Sequence, residues 1–139
     1  MSFQQIASIF GESGCYFDSI ITAGEEIAKK TIDRLRFYGR ARNQGWMLAN
    51  CYLESPDEIL QDITDCPWTV RKESAAYKTK PGEIEILRFE WNNRPGSTLS
   101  HFVLGDGNGE VKYDPMGDQS PVVKYGVLAS KRVFTEVNR

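Results

Sequence analysis

From Cys15 onward the apolar residues Phe17, Ile20, Ile21, Ile27, Ala28, Ile32 and Leu35 recur at spacings of three, four and seven. That period predicts an amphipathic helix burying one stripe. Gly24, followed by Glu25 and Glu26, falls inside the stretch, so the pattern allows either one kinked helix or a stop and restart whose new amino-terminal end the acids favour. Gly39 and Gly45 punctuate the following segment. Ser55-Pro56-Asp57-Glu58 then combines a capping hydroxyl, a first-turn proline and a glutamate placed to close a capping box. A short helix through Ile63 is predicted.

Beyond Pro67 the period changes from helical to alternating. Trp68-Thr69-Val70 is a brief β-type run, and Glu83 to Trp91 alternates residue by residue. Asn93-Arg94-Pro95-Gly96 reads as a turn and Leu99 to Leu104 as a strand. Asp106-Gly107-Asn108-Gly109 reads as a tight turn, with Glu110 to Tyr113 the returning strand. Arg132 to Val137, β-branched and aromatic, predicts a last strand pairing back into the sheet. Helices first and an antiparallel sheet second give the class α+β.

Length and composition bound this picture without changing it. The 139 residues suit one domain over 1–139, and 40% hydrophobic with 26% charged residues predicts folding throughout. A formal charge of −2 gives no basic field for nucleic acid. The local cluster Lys29, Lys30, Arg34, Arg36, Arg40 and Arg42 is interleaved with Glu25, Glu26 and Asp33, the pattern of a solvated helix face. No apolar stretch approaches a membrane span, and Met1 to Gln5 lack a basic region leading into an apolar run, so no membrane partner and a cytoplasmic location are expected. Three cysteines, Cys15, Cys51 and Cys66, lack paired metal-ligand spacing, so reduced thiols and no metal or other cofactor are expected.

The chemistry rests on one thiol and the single histidine. Gly14 precedes Cys15 and the helical period begins just after it, which places the sulfur near a helix amino terminus, where unpaired amides and the helix dipole favour a thiolate. His101 lies on the first strand of the predicted hairpin and Asp114 at the end of the second, close enough across the strands for a carboxylate to orient an imidazole. Taken singly, Cys15 reads as a buried thiol, His101 as a core histidine and Asp114 as a turn acid. Together, in chain order, they form a nucleophile, a base and an orienting group. Cys51 and Cys66 read as packing residues. Trp91, placed at a strand end before the loop that leads to His101, reads as a cleft wall.

These segments resemble papain-like cysteine peptidases, and within them the branch that removes leader peptides from bacteriocins. The likeness lies in Gly14-Cys15 opening a helix, in the strand His101-Phe102-Val103-Leu104, in the glycine-rich turn from Gly105 to Gly109, and in the strand end Asp114-Pro115. It implies a papain-like fold with amino-terminal helices packed on the sheet. It implies Cys15 as nucleophile, His101 as base and Asp114 as orienting group in hydrolysis of a peptide or amide substrate. Relatives carry a glutamine six residues before the cysteine as an oxyanion donor, where this chain has Ile9, so Gln5 or Ser13 is the substitute donor. Gly14 and Ser100 complete the expected substrate cleft. Transglutaminase-like acyl transferases share the Cys, His, Asp order, and a catalytically silent binding module of phage or mobile-element type is the third expectation. The oligomeric state is left open.

Overall fold

A computed structural model describes residues 12–117 and 120–137. The first helix of the described residues, α1 (Glu12–Ala28), is unbroken, and α2 (Arg34–Asn43) follows after a short link. The stop lies at Lys29, which takes a left-handed φ of 58°, and not at Gly24. Gly24 serves packing instead: a Cβ there would stand 2.7 Å from Ile63 Cγ2 on α3 (Pro56–Thr64), so its bare Cα lets the two helices close. Glu25 starts no new helix; its carboxylate accepts from the Ile32 amide at 2.7 Å and from Arg34. Ile27, in the last turn of α1, and Leu35, beyond its end, are exposed rather than buried.

Asp33 caps α2 by accepting from the Arg36 amide at 3.1 Å. Arg40 of that helix reaches Asp62 on α3. For α3 the boundary agrees with the sequence but the cap does not. Ser55 makes no side-chain cap bond, and Pro56 in the first turn together with Asp57 and Glu58 starts the helix.

The strands are β1 (Trp68–Ser74), β2 (Ile84–Arg94), β3 (Ser97–Gly105), β4 (Val111–Tyr113) and β5 (Val127–Glu136), with a five-residue helix α4 (Pro121–Tyr125) before the last. They form one five-stranded sheet in the order β1-β5-β2-β3-β4, antiparallel at every pairing. The class is α+β, and β5 is the last strand expected from Arg132 to Val137, pairing back into the sheet between β1 and β2.

Alternation gives the sheet two faces with different duties. Val70, Ile84, Ile86, Phe102, Leu104 and Phe134 join Phe17, Ile20, Ile21, Ile59, Leu60 and Ile63 in one hydrophobic cluster, so α1 and α3 pack on this face. The opposite face carries Glu85, Leu87, His101, Val103, Lys131 and Val133, all buried. There Lys131 Nζ donates to Glu85 Oε1 at 2.9 Å and to the Tyr77 carbonyl at 2.8 Å. Gly107 and Gly109 donate their amides to Glu85 Oε2, each at 2.9 Å. Gly105 cannot carry a side chain, since a Cβ there would lie 2.5 Å from Glu85 Oε2. No helix of the described residues is long and apolar enough to cross a membrane.

Candidate active site

The β3–β4 hairpin sets the histidine against its acid. Phe89 pairs with His101 and Leu104 with Tyr113, so successive residues along β3 alternate between the faces. His101 therefore projects away from Phe102 and Leu104, and Asp114, one step past Tyr113, projects to the same side as His101. Their side chains meet: His101 Nε2 and Asp114 Oδ1 are 2.6 Å apart, with only 5% and 7% of each side chain exposed. The carboxylate is fixed from behind, because Oδ1 also accepts from the Met116 amide at 2.8 Å and the Asp114 carbonyl accepts from Gly117 at 2.9 Å. An ionised carboxylate only accepts, so Nε2 carries the proton and Nδ1 is the basic nitrogen of the neutral ring.

Cys15 lies in the first turn of α1 and is 3% exposed. Two ties position that turn over the hairpin. Tyr16, the next residue, stacks on Phe102, the residue after His101, with centroids 4.5 Å apart and an interplanar angle of 14°. One helical turn on, Asp18 accepts from Tyr113 Oη at 2.5 Å, and Tyr113 immediately precedes Asp114. Cys15 and Asp18, three apart, share a helix side, so the sulfur stands at the amino-terminal end of the side facing β4. The short β4 pairs only with Leu104 and Gly105, which leaves β3 around His101 as a sheet edge. The start of α1 packs on the helix-bearing face, with Cys15 in its hydrophobic cluster, whereas the imidazole springs from the other face of the sheet.

Asp18 itself is fully buried and anchors the arrangement. Arg34 Nε donates to its Oδ1 at 2.9 Å, and the same guanidinium reaches Glu25 and the Ile32 carbonyl. Burial raises the Asp18 carboxyl above its ordinary range, against the lowering pull of Tyr113 and Arg34. Burial and the adjoining Asp18 carboxylate likewise push the Tyr113 hydroxyl upward, so it stays a donor. Arg34 is thus a structural cation rather than part of a solvated charge run. The sequence signal for this network was an aspartate set among Phe17, Ser19, Ile20 and Ile21, on the apolar side of the helix.

Of the other expected site residues, Gly14 is buried in the Cys15 turn, and Ser13 belongs to the same turn with its side chain outside the described residues. Gln5 lies outside the described residues. Trp91 does not end its strand, since β2 continues to Arg94; it pairs with Leu99, shares the His101 face, and its ring lies 5.5 Å from that of Tyr125. Ser100 falls on the helix-bearing face by alternation, where its hydroxyl accepts from Arg88 Nη2 at 2.7 Å. It is therefore removed from the His101 side. Cys51 is fully buried, and desolvation pushes its thiol up to about 11, which suits a packing residue. Among the described residues no group of His, Cys, Asp and Glu could hold a metal ion.

No curated protein and no solved structure matches the chain. One family model does, over residues 3–136, and the chain belongs to that family, described as a protein of unknown function, DUF261.

Proposed function

We propose that this DUF261 chain is a cysteine hydrolase of papain-like fold that cleaves a peptide or amide bond with Cys15, His101 and Asp114. The observation that carries the reading is the buried 2.6 Å contact between His101 Nε2 and Asp114 Oδ1. It leaves Nδ1 to act on a thiol, and the Tyr16–Phe102 stack holds the Cys15 turn beside the same stretch of β3. The first turn of α1 supplies amide donors and a positive dipole end for a thiolate. Three reduced cysteines fit a cytoplasmic setting.

In the reaction, the Cys15 proton passes to His101 Nδ1 and the sulfur adds to the carbonyl carbon. The tetrahedral oxyanion collapses, the C–N bond breaks, and the imidazolium returns its proton to the leaving amine. Water, deprotonated by the neutral ring, then adds to the thioester. The C–S bond breaks, releasing a carboxylic acid and restoring the thiol. Asp114 holds the ring and stabilises its cationic form throughout. In this reading the Cys15 amide is one oxyanion donor and Ser13 or Gln5 the second.

Substitution of Asp114 separates holding the ring from supplying charge. Both bonds to Oδ1 are donated to an acceptor, so Asp114→Asn can keep them through its amide oxygen and should lower kcat by about tenfold or less. Asp114→Ala leaves a buried N–H without an acceptor and the ring unheld, and a fall on the order of 10²–10³ is expected. Steady-state hydrolysis of a library of peptidyl aminocoumarin amides measures both. Equal rates for Asp114→Ala and the unaltered chain would remove Asp114 from the reaction.

A further inference from the structure

A second feature opens beside the Cys15 turn, on the helix-bearing face. It is a cavity of about 400 Å³ whose walls include Tyr16, Phe102, Val70, Lys72, Arg88 and Arg132. This size is ordinary for a small-ligand site. Its charge is not ordinary. Arg132 on β5 stands directly across from Lys72 on β1, and Arg88 on β2 lies diagonally from Arg132, since Ile86 is its direct partner. Like charges so placed on one sheet face repel, and a fold tolerates them where something else gains by it.

The charges in the cavity differ in how they are compensated. Arg88 pairs with Glu90, and Arg71, also at the cavity wall, pairs with Glu73 and Glu83. Arg132 has no carboxylate among the described residues: its Nη1 donates to Ser130 Oγ at 3.0 Å and to the Lys131 carbonyl at 3.4 Å, and its guanidinium lies 5.5 Å from the Phe102 ring centroid. Among the described residues Nε and Nη2 meet no acceptor. No buried side-chain nitrogen or oxygen among the described residues lacks a partner, so these unused donors are open to a ligand. Burial makes the Arg132 cation harder to hold, and the charge of Arg88 pushes the same way while Tyr16 opposes both. Lys72 is exposed at the rim and forms no ion pair with the described residues.

We infer that this cavity is an oxyanion-group recognition site in which Arg132 and Lys72 bind a carboxylate or phosphate while Tyr16, Phe102 and Val70 pack against the apolar or flat body that carries it. A planar guanidinium with two adjacent donors matches the paired oxygens of either group. The aromatic wall adds contact area that an inorganic ion cannot use. Tyr16, the residue after Cys15 in α1, forms part of the wall, so the cavity adjoins the turn that carries the proposed nucleophile, although neither Cys15 nor His101 lines it. The further statement that this ligand is the acidic flank of the substrate rests on the hydrolase reading; the anion site itself does not.

Calorimetric titration of the full chain with phenyl phosphate, benzoate, benzamide and inorganic phosphate tests it. At low salt, phenyl phosphate or benzoate should bind at least about tenfold tighter than neutral benzamide, and added salt should weaken it. Binding of phenyl phosphate alone identifies the group as phosphate, and binding of benzoate alone identifies it as carboxylate. Arg132→Met should weaken the anion about tenfold or more, and the surface change Lys72→Gln, which leaves the core untouched, a few-fold with a shallower salt dependence. Cys15→Ala should bind unchanged, since the anion site does not use the sulfur, whereas an unaltered chain that binds the anion but hydrolyses no amide overturns the enzyme reading alone. Benzamide binding as tightly as the anions, or full affinity in both Arg132→Met and Lys72→Gln, overturns the site.

Discussion

Cys15→Ala is expected to abolish amide hydrolysis, with kcat falling on the order of 10⁴–10⁶. The size of the effect follows from removing the only atom that forms a bond to the acyl group. What survives is whatever the helix amides and substrate binding give to direct attack by water. Truncation in a buried turn removes one sulfur and leaves the Tyr16–Phe102 stack and the Asp18–Tyr113 bond in place, so the chain should stay folded. Cys51→Ala and Cys66→Ala are the controls and should retain activity. Hydrolysis by Cys15→Ala at the original rate, on the same aminocoumarin library, would assign the chemistry elsewhere.

Lys131→Met is the largest expected effect on stability. Lys131 and Glu85 are 3% and 1% exposed, and removing one member of such a pair leaves the other charge buried without compensation, at a cost of about 3–5 kcal/mol. Burial works to raise the Glu85 carboxyl, but donors from Thr79, Lys131, Gly109 and Gly107 outweigh it and hold the group below its ordinary range. A depressed carboxyl contributes stability that is fully present above its unfolded value near 4.3 and is lost as pH falls through the folded value. In Lys131→Met the cation is gone and Glu85 protonates more easily. The deficit against the unaltered chain should therefore be greatest at neutral pH and shrink on acidification. Urea denaturation at pH 7 and pH 4 measures both, and a deficit under 1 kcal/mol at pH 7 would show that Lys131 does not hold the Glu85 charge.

How far the residues announced this structure depends on whether their signal is local. The β3–β4 hairpin was legible because strand alternation and the glycine turn from Gly105 to Gly109 fix a register that leaves His101 and Asp114 one side-chain length apart. Helix α3 was legible through Pro56. Gly24 misled because a glycine needed for close approach to Ile63 looks the same, in one dimension, as a glycine that ends a helix. The real stop, a left-handed Lys29, carries no residue-type signal.

Ser100 shows the same limit from the other side: it adjoins His101 in sequence, yet face is set by register, and one step along β3 turns it to the helices. The paired cations of the cavity come from three strands that the chain brings together only by inserting β5 between β1 and β2. No window of sequence contains that information. Asp18 is the intermediate case, where its polar type on an apolar helix side was a signal but its partners, Arg34 and Tyr113, were not readable.

The central claim is that His101 holds Cys15 as a thiolate, and the most direct measurement is the pH dependence of Cys15 alkylation by iodoacetamide, followed by peptide mass spectrometry. In the unaltered chain the rate should stay near its plateau down to about pH 6, well below the ordinary thiol range near 8.5, and His101→Ala should return it to that ordinary range. A Cys15 that resists alkylation across this span, or whose profile is the same with and without His101, contradicts the account.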